Sequence, residues 1–247
     1  MSQPHYTGEE ETTINTVTGV RVAIVRDNED PDNLGRVKLE YPWRDADDES
    51  YWARIATEMT GQDYGTHFLP EVEDEVLVSF ENGDIHKPIV IGSLYSGNRK
   101  PPENNSDGNN DIRTITTRSG HKIEFDDNDS EGAVTIETNA GHKVKLDDAS
   151  GGETVTIEDK SGNSIEMDAV GNSIAIEAQQ EISLEAPTIS LSADGEVSIS
   201  SKGKVDVSGD GQASVSSKGQ LSLESNGLMG IDATGPLTIQ GAIIQLN

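Results

Sequence analysis

From position 195 onward, aliphatic residues recur two and four places after a glycine. Gly195, Gly203, Gly211, Gly219, Gly227 and Gly235 stand eight apart. They are followed by Val197 and Ile199, Val205 and Val207, Ala213 and Val215, Leu221 and Leu223, Met229 and Ile231, and Leu237 and Ile239. The same doublet appears earlier as Ile174 with Ile176, Ile182 with Leu184, and Ile189 with Leu191, with one seven-residue step near Pro187. Alternate residues of a strand point to opposite faces, so each octad sends two aliphatic side chains one way and Ser, Lys, Asp, Glu or Gln the other. The glycine is expected at a corner, where it turns the chain without a Cβ penalty.

Eight residues supply one strand and one corner. A coil closed by one chain needs several strands per turn, so a lone octad chain cannot enclose its own core. Three chains wound about one axis do enclose one, each giving one face per level. The repeat length therefore predicts a homotrimeric, intertwined triple-stranded β-helix with the doublets as its core. The competing readings are a single-chain solenoid and a disordered Ser/Gly tract. A disordered tract would not keep Val, Ile and Leu in phase, and a monomer would expose strand edges along its length.

Upstream the period changes. Gly120, Gly141 and Gly162 lie 21 apart in the contexts SGHKIEFDD, AGHKVKLDD and SGNSIEMDA, each paired with another alternating run such as AVTIET or TVTIED. Residues 112–170 are thus predicted as hairpin-like repeats opening the β-helix, and 171–247 as octads ending in a blunt tip. Residues 15–97 hold the alternating runs GVRVAIVR, GRVKLEYPW, YWARIATE, DEVLVSF and KPIVIGSLY, with a hairpin signal at Asn82 and Gly83. Short strands at this spacing predict an oligomer-binding-type (OB-fold) barrel. Residues 98–111, rich in Pro, Asn, Gly and Asp, read as a linker, and polar residues 1–14 as a tail that is disordered or ordered by a partner. The fold class is all-β.

Composition sharpens this picture. Only 32% of the chain is hydrophobic and the net charge is −27, values that would suggest disorder if periodicity did not overrule them. Nine of the ten aromatic residues precede position 100, Phe125 being the exception, which marks the domain break. There is no cysteine, so stability rests on backbone pairing and packing. The N-terminus has neither a basic region nor an apolar run, so no signal peptide is expected. Residues 15–100 carry 17 acidic against 9 basic residues, the wrong sign for an OB-fold nucleic-acid module. The acidity fits a solubilising β-rich surface or adaptation to high salt.

Candidate chemistry is sparse. His121 and His142 hold equivalent positions in the 21-residue units, where a threefold axis would gather each into a metal-binding ring; their place after a glycine corner instead favours a solvated site. The acidic runs at 126–130 and 147–150 lack EF-hand spacing. Glu71, Glu73 and Glu75 alternate along one wet face, and His67 and His86 have no nucleophile constellation. No catalytic residue and no cofactor is assigned.

The segments 35–43, 51–65, 69–84 and 86–95, followed by linker and octads, resemble the barrel and needle of the VgrG and phage baseplate-protein-V family across roughly residues 15–247. The resemblance implies a non-enzymatic spike: the tail and barrel seat on a baseplate hub protein, and the needle pierces a target envelope when a sheath contracts, touching its membrane transiently. It implies assembly in the cytoplasm into a particle and an extracellular location at the particle tip. About 15 residues precede the barrel where full VgrG proteins carry a hub, so the resemblance is to a short spike. Some relatives insert a lysozyme domain where this chain has a 14-residue linker. Some short phage spikes end in a His-x-His iron apex; the ending TIQGAIIQLN instead resembles a blunt trimer end that carries a PAAR-type tip protein. Ile239, Ile243, Ile244 and Leu246 are its candidate docking positions, or else they complete the last core level. The competing functions are a nucleic-acid or sugar-binding OB module and a trimeric fibre or adhesin.

Overall fold

The computed structural model describes residues 16–44 and 49–245, which fall into two units, 1–183 and 184–247. The N-terminal tail assigned to residues 1–14, and Leu246, lie outside the described residues.

The first part of unit one is a barrel. Its strands are β1 (Arg21–Asp27), β2 (Lys38–Glu40), β3 (Arg54–Ile55), β4 (Thr60–Gly61), β5 (Tyr64–Gly65), β6 (Glu75–Phe80) and β7 (Pro88–Leu94). Alternation decides what is inside: Ala23 and Val25 of β1, Val76, Val78 and Phe80 of β6, and Val90 of β7 are buried, together with Val37, Leu39, Tyr41, Ala53 and Ile85. The sheet runs β2-β1-β6-β7-β3, antiparallel except for the parallel β3–β7 pair. It closes where Val37 and Ala53 exchange backbone hydrogen bonds of 3.0 and 2.8 Å. Five short strands closed in this way form an OB-type barrel. β4 and β5 make a separate small hairpin.

One turn departs from expectation. A two-residue hairpin turn at Asn82–Gly83 is predicted, yet Phe80 pairs with Pro88, so residues 81–87 form the connection. Asn82 and Gly83 do take positive φ (54° and 77°), inside a short 3-10 turn over Glu81–Gly83. Ile85 is buried, and drawing it into the core requires the longer loop.

The 21-residue repeats build one seven-stranded antiparallel meander: β8 (Ile112–Thr116), β9 (Lys122–Asp126), β10 (Ala133–Glu137), β11 (Lys143–Asp147), β12 (Thr154–Glu158), β13 (Ser164–Asp168) and β14 (Ser173–Glu177). Ile174 and Ile176, grouped above with the octads, lie on β14 and pair with Met167 and Ile165. The linker at 98–111 has no strand but bonds to itself: Glu103 accepts the N–H groups of Asn104 and Asn105 at 2.8 Å, and Asn105 Oδ1 accepts that of Asn110 at 2.7 Å.

Along the second unit the chain bends at each of the six octad glycines, and among the described residues 184–245 it forms no strand ladder of its own. None of the six takes a φ in the left-handed region, and an added Cβ would meet no atom closer than 3.9 Å. In the single chain these corners do not draw on the left-handed freedom of glycine. The corners are open bends, in contrast to Gly120, Gly141 and Gly162 of the meander, with φ of 90°, 88° and 84°.

Candidate functional site

The chemistry of this chain lies in surfaces. The register of the meander places one residue of each strand in a continuous apolar row: Ile115, Ile123, Ile136, Val144, Ile157, Ile165 and Ile176 stand opposite one another in succession. A second row on the same face runs Phe125, Val134, Leu146, Val155, Met167 and Ile174. The opposite face is polar and carries an alternating charge ladder, Lys122, Glu137, Lys143 and Glu158, in direct cross-strand register. Opposite charges facing each other support the sheet there. The apolar face has no cover: a trough of about 940 Å³ opens along it, lined by Ile136, Val144, Ile157, Ile165 and Ile176 and reaching Ile182.

Two sets of turns, at the two ends of the strands, keep this face in phase. At one edge Thr117 and Thr138 accept, through Oγ1, the N–H of His121 and His142 at 3.1 Å, and Asp159 Oδ1 accepts that of Asn163 at 3.0 Å. At the other edge Asp126, Asp147 and Asp168 each accept through Oδ1 the N–H two residues on, at 3.0, 3.1 and 2.9 Å. The Asn163 amide and the N–H groups of Asn163 and Ser161 stabilise the charged form of Asp159 and hold its pKa below the usual carboxylate value. Lys145 does the same for Asp147, aided by the Ala149 N–H. Sequence reading met Asp126 and Asp147 only as members of acidic runs and left Thr117, Thr138, Asp159 and Asp168 out, although their 21-residue spacing is visible beside the glycines.

In the barrel the loop before β2 is organised by Asp30, whose side chain is 3% exposed. It accepts from Arg36 Nε and Nη2 at 2.8 and 2.7 Å and from the N–H groups of Asp32, Leu34 and Arg36. The guanidinium, above all, holds the Asp30 carboxyl far below its ordinary range. The loop after Pro70 meets the meander: Glu71 pairs with Arg118 of the β8–β9 turn at 2.9 Å, and Asp74 with Arg99 at 3.1 Å. Glu71 and Glu73 are thus in ion pairs, Glu73 with Arg26.

The octad doublets Ile182 and Leu184, Ile189 and Leu191, Val197 and Ile199, Val205 and Val207, Ala213 and Val215, Leu221 and Leu223, Met229 and Ile231, and Leu237 and Ile239 are all exposed in the single chain, as are Ile243 and Ile244. Among the described residues 184–245, no backbone N–H donates to a backbone carbonyl of the same chain. Two aliphatic residues per octad and an unpaired backbone are what one chain of a triple-stranded β-helix leaves for its neighbours. His121 and His142 lie in successive turns on the same edge, both exposed; His121 Nδ1 faces the N–H of Asn139 at 3.3 Å. Among the described residues of one chain, no group of three or more His, Asp or Glu is placed to hold a metal.

A closed OB barrel joined to a meander and octads with one uncovered apolar side defines a class: barrel-and-β-helix proteins that complete their core by trimerising. Residues 21–95 match the type VI secretion system/phage-baseplate injector OB domain, and residues 133–221 the phage baseplate V C-terminal trimerisation domain. The chain thus carries, in this order, an injector OB domain and a baseplate V C-terminal trimerisation domain. Among curated relatives, the type VI secretion system spike protein VgrG3 of Vibrio cholerae is 41% identical over 75 residues, 29% of this chain and 7% of that protein. The spike protein VgrG5 of Pseudomonas aeruginosa is 46% identical over 77 residues, 29% of this chain and 10% of that protein. The actin cross-linking toxin VgrG1 of V. cholerae is 36% identical over 75 residues, again 29% of this chain and 7% of that protein. The chain therefore aligns with a tenth or less of each of these relatives, over a stretch the length of the barrel.

Proposed function

We propose that three copies of this chain form the central, non-enzymatic spike of a contractile injection machine. The barrels seat on the baseplate hub at the end of the inner tube, and the β-helix points at the target and pierces its envelope when the sheath contracts. A PAAR-type protein caps the far end over Ile239, Ile243 and Ile244. The chain is assembled into the machine in the cytoplasm and reaches the outside at its tip. The observation that carries this reading is the union, in one chain, of the injector barrel with a meander whose apolar face is uncovered and octads whose aliphatic doublets are exposed and whose described backbone is unpaired within the chain. Such a stack supports load along its axis, the property a puncturing element needs, and no step of it calls for a reactive group.

Light scattering coupled to size exclusion, with sedimentation velocity on the same sample, tests the proposal. The expected particle has three times the 26.4 kDa chain mass and a frictional ratio well above that of a sphere. A compact monomer overturns it. Binding of a PAAR-repeat protein to the trimer, abolished by Ile243→Asp, tests the tip; unchanged binding by that variant removes Ile243 from the docking surface.

A further inference from the structure

Six octads of nearly identical pattern create a difficulty that the trimer alone does not solve. Sliding one chain along its own path by a single octad, a rise of about 4.7 Å along the axis of the β-helix, returns an aliphatic doublet to every core position but the last. Register is weakly specified wherever the repeat maps onto itself. The octads also have nothing of their own to start from, since residues 184–245 make no intrachain backbone pairing. The meander is the opposite case. Its seven strands are fully laddered within one chain, and its apolar face already exists before a second copy arrives.

We propose that the apolar face of the meander, a single row on β8 and a double row over β9–β14, is the surface on which three copies first align, and that it sets the register in which the octads then wind. The occupant of the uncovered face is the same face of a second and a third copy. Three features support this choice. The trimerisation-domain match begins at residue 133, the first residue of β10, so it takes in five of the seven strands before it reaches the octads. The trough continues without a break to Ile182, where the octads begin. The second row is not self-similar: Phe125, Leu146 and Met167, at equivalent places in successive 21-residue units, differ in shape and size, so a slip by one unit opposes unequal side chains. Ordering entropy favours the same sequence of events, because a preformed sheet loses little further freedom on docking while each octad must be ordered as it pairs. The inference rests on the trimeric spike reading and names which of its surfaces acts first.

The chain has no cysteine, so Ser216→Cys carries a unique nitroxide on the wet side of an octad. In the full-length protein, dipolar electron resonance should give one narrow interchain distance. Ile136→Asp with Ile157→Asp, both side chains being exposed in the single chain, should abolish the trimer. The milder Ile136→Thr with Ile157→Thr, which retains strand propensity, should leave trimers whose distances spread over several octad steps. Val207→Asp with Leu223→Asp should leave the trimer intact, with a single distance from a label at Thr116→Cys and a frayed needle. A single narrow distance at position 216 in the Thr pair, or dissociation by the octad pair as complete as that by the row pair, overturns the inference. A monomeric parent protein would instead sink the spike reading itself.

Discussion

Ile157 on β12 stands directly opposite Ile165 on β13, and both side chains face solvent, 48% and 37% exposed. A β-branched cross-strand pair is a favourable contact in any sheet, but here it is one link in a seven-strand row with nothing above it. The row makes sense only as half of an interface. Hydrogen exchange separates this from an ordinary exposed sheet. Amides of β9–β13 should be slow in both monomer and trimer, because their ladders are intrachain. Amides of residues 195–239 should be slow only in the trimer, and fast exchange there in an intact trimer would contradict the β-helix.

The barrel should behave as an independent source of stability. Val78 is fully buried among Val25, Val76 and Val90. Val78→Ala should cost about 2 kcal/mol in denaturant unfolding of the barrel and leave the oligomeric state unchanged, as read by sedimentation.

The two families of glycine should respond differently to alanine. Gly141 has φ of 88°, so Gly141→Ala forces a Cβ into the left-handed region at a cost of about 1–2 kcal/mol. It should lower the thermal midpoint of the meander. Gly211 has neither a left-handed φ nor a neighbour within 4 Å of an added Cβ in its own chain. Any loss of stability in Gly211→Ala, measured at several protein concentrations, therefore reports on another chain close to that corner.

Acid should act through the turns. Asp159 has a folded pKa below its ordinary value, so its contribution is complete above the unfolded carboxylate pKa of about 4. It is lost as pH falls through the folded value. Asp159→Asn keeps an oxygen acceptor and removes the charge. Wild type should be more stable than this variant at pH 7, and the difference should vanish in strong acid; a difference that persists there would assign the effect to packing.

The clamp around Asp30 carries a parallel expectation. Asp30→Ala leaves Arg36 without its principal partner and releases three backbone N–H groups. It should loosen the loop ahead of β2, seen as faster exchange at Leu34 and Arg36, without altering the trimer.

The sequence by itself determined the periods, and with them the class of fold. Two aliphatic residues in every eight, in phase over six octads, leave one chain unable to bury its own core, and that follows from strand geometry alone. The 21-residue spacing likewise announced the hairpins, and the alternation in 15–97 announced the barrel. Tertiary structure decided where one regime yields to the other. The doublet of Ile174 and Ile176 looks like an octad, yet it completes an antiparallel ladder against β13, because pairing with an existing edge satisfies its backbone at once. It also decided why particular residues recur: Asp126 and Asp147 read only as members of acidic runs until their Oδ1 atoms, like that of Asp168, are seen to hold a backbone N–H in each turn. The burial of Ile85, which lengthens the β6–β7 loop, was likewise invisible, because a turn signal at Asn82 and Gly83 speaks only of local dihedral preference. Local preference and period are properties of neighbours along the chain, whereas edge pairing, caps and core entry depend on what other segments bring alongside.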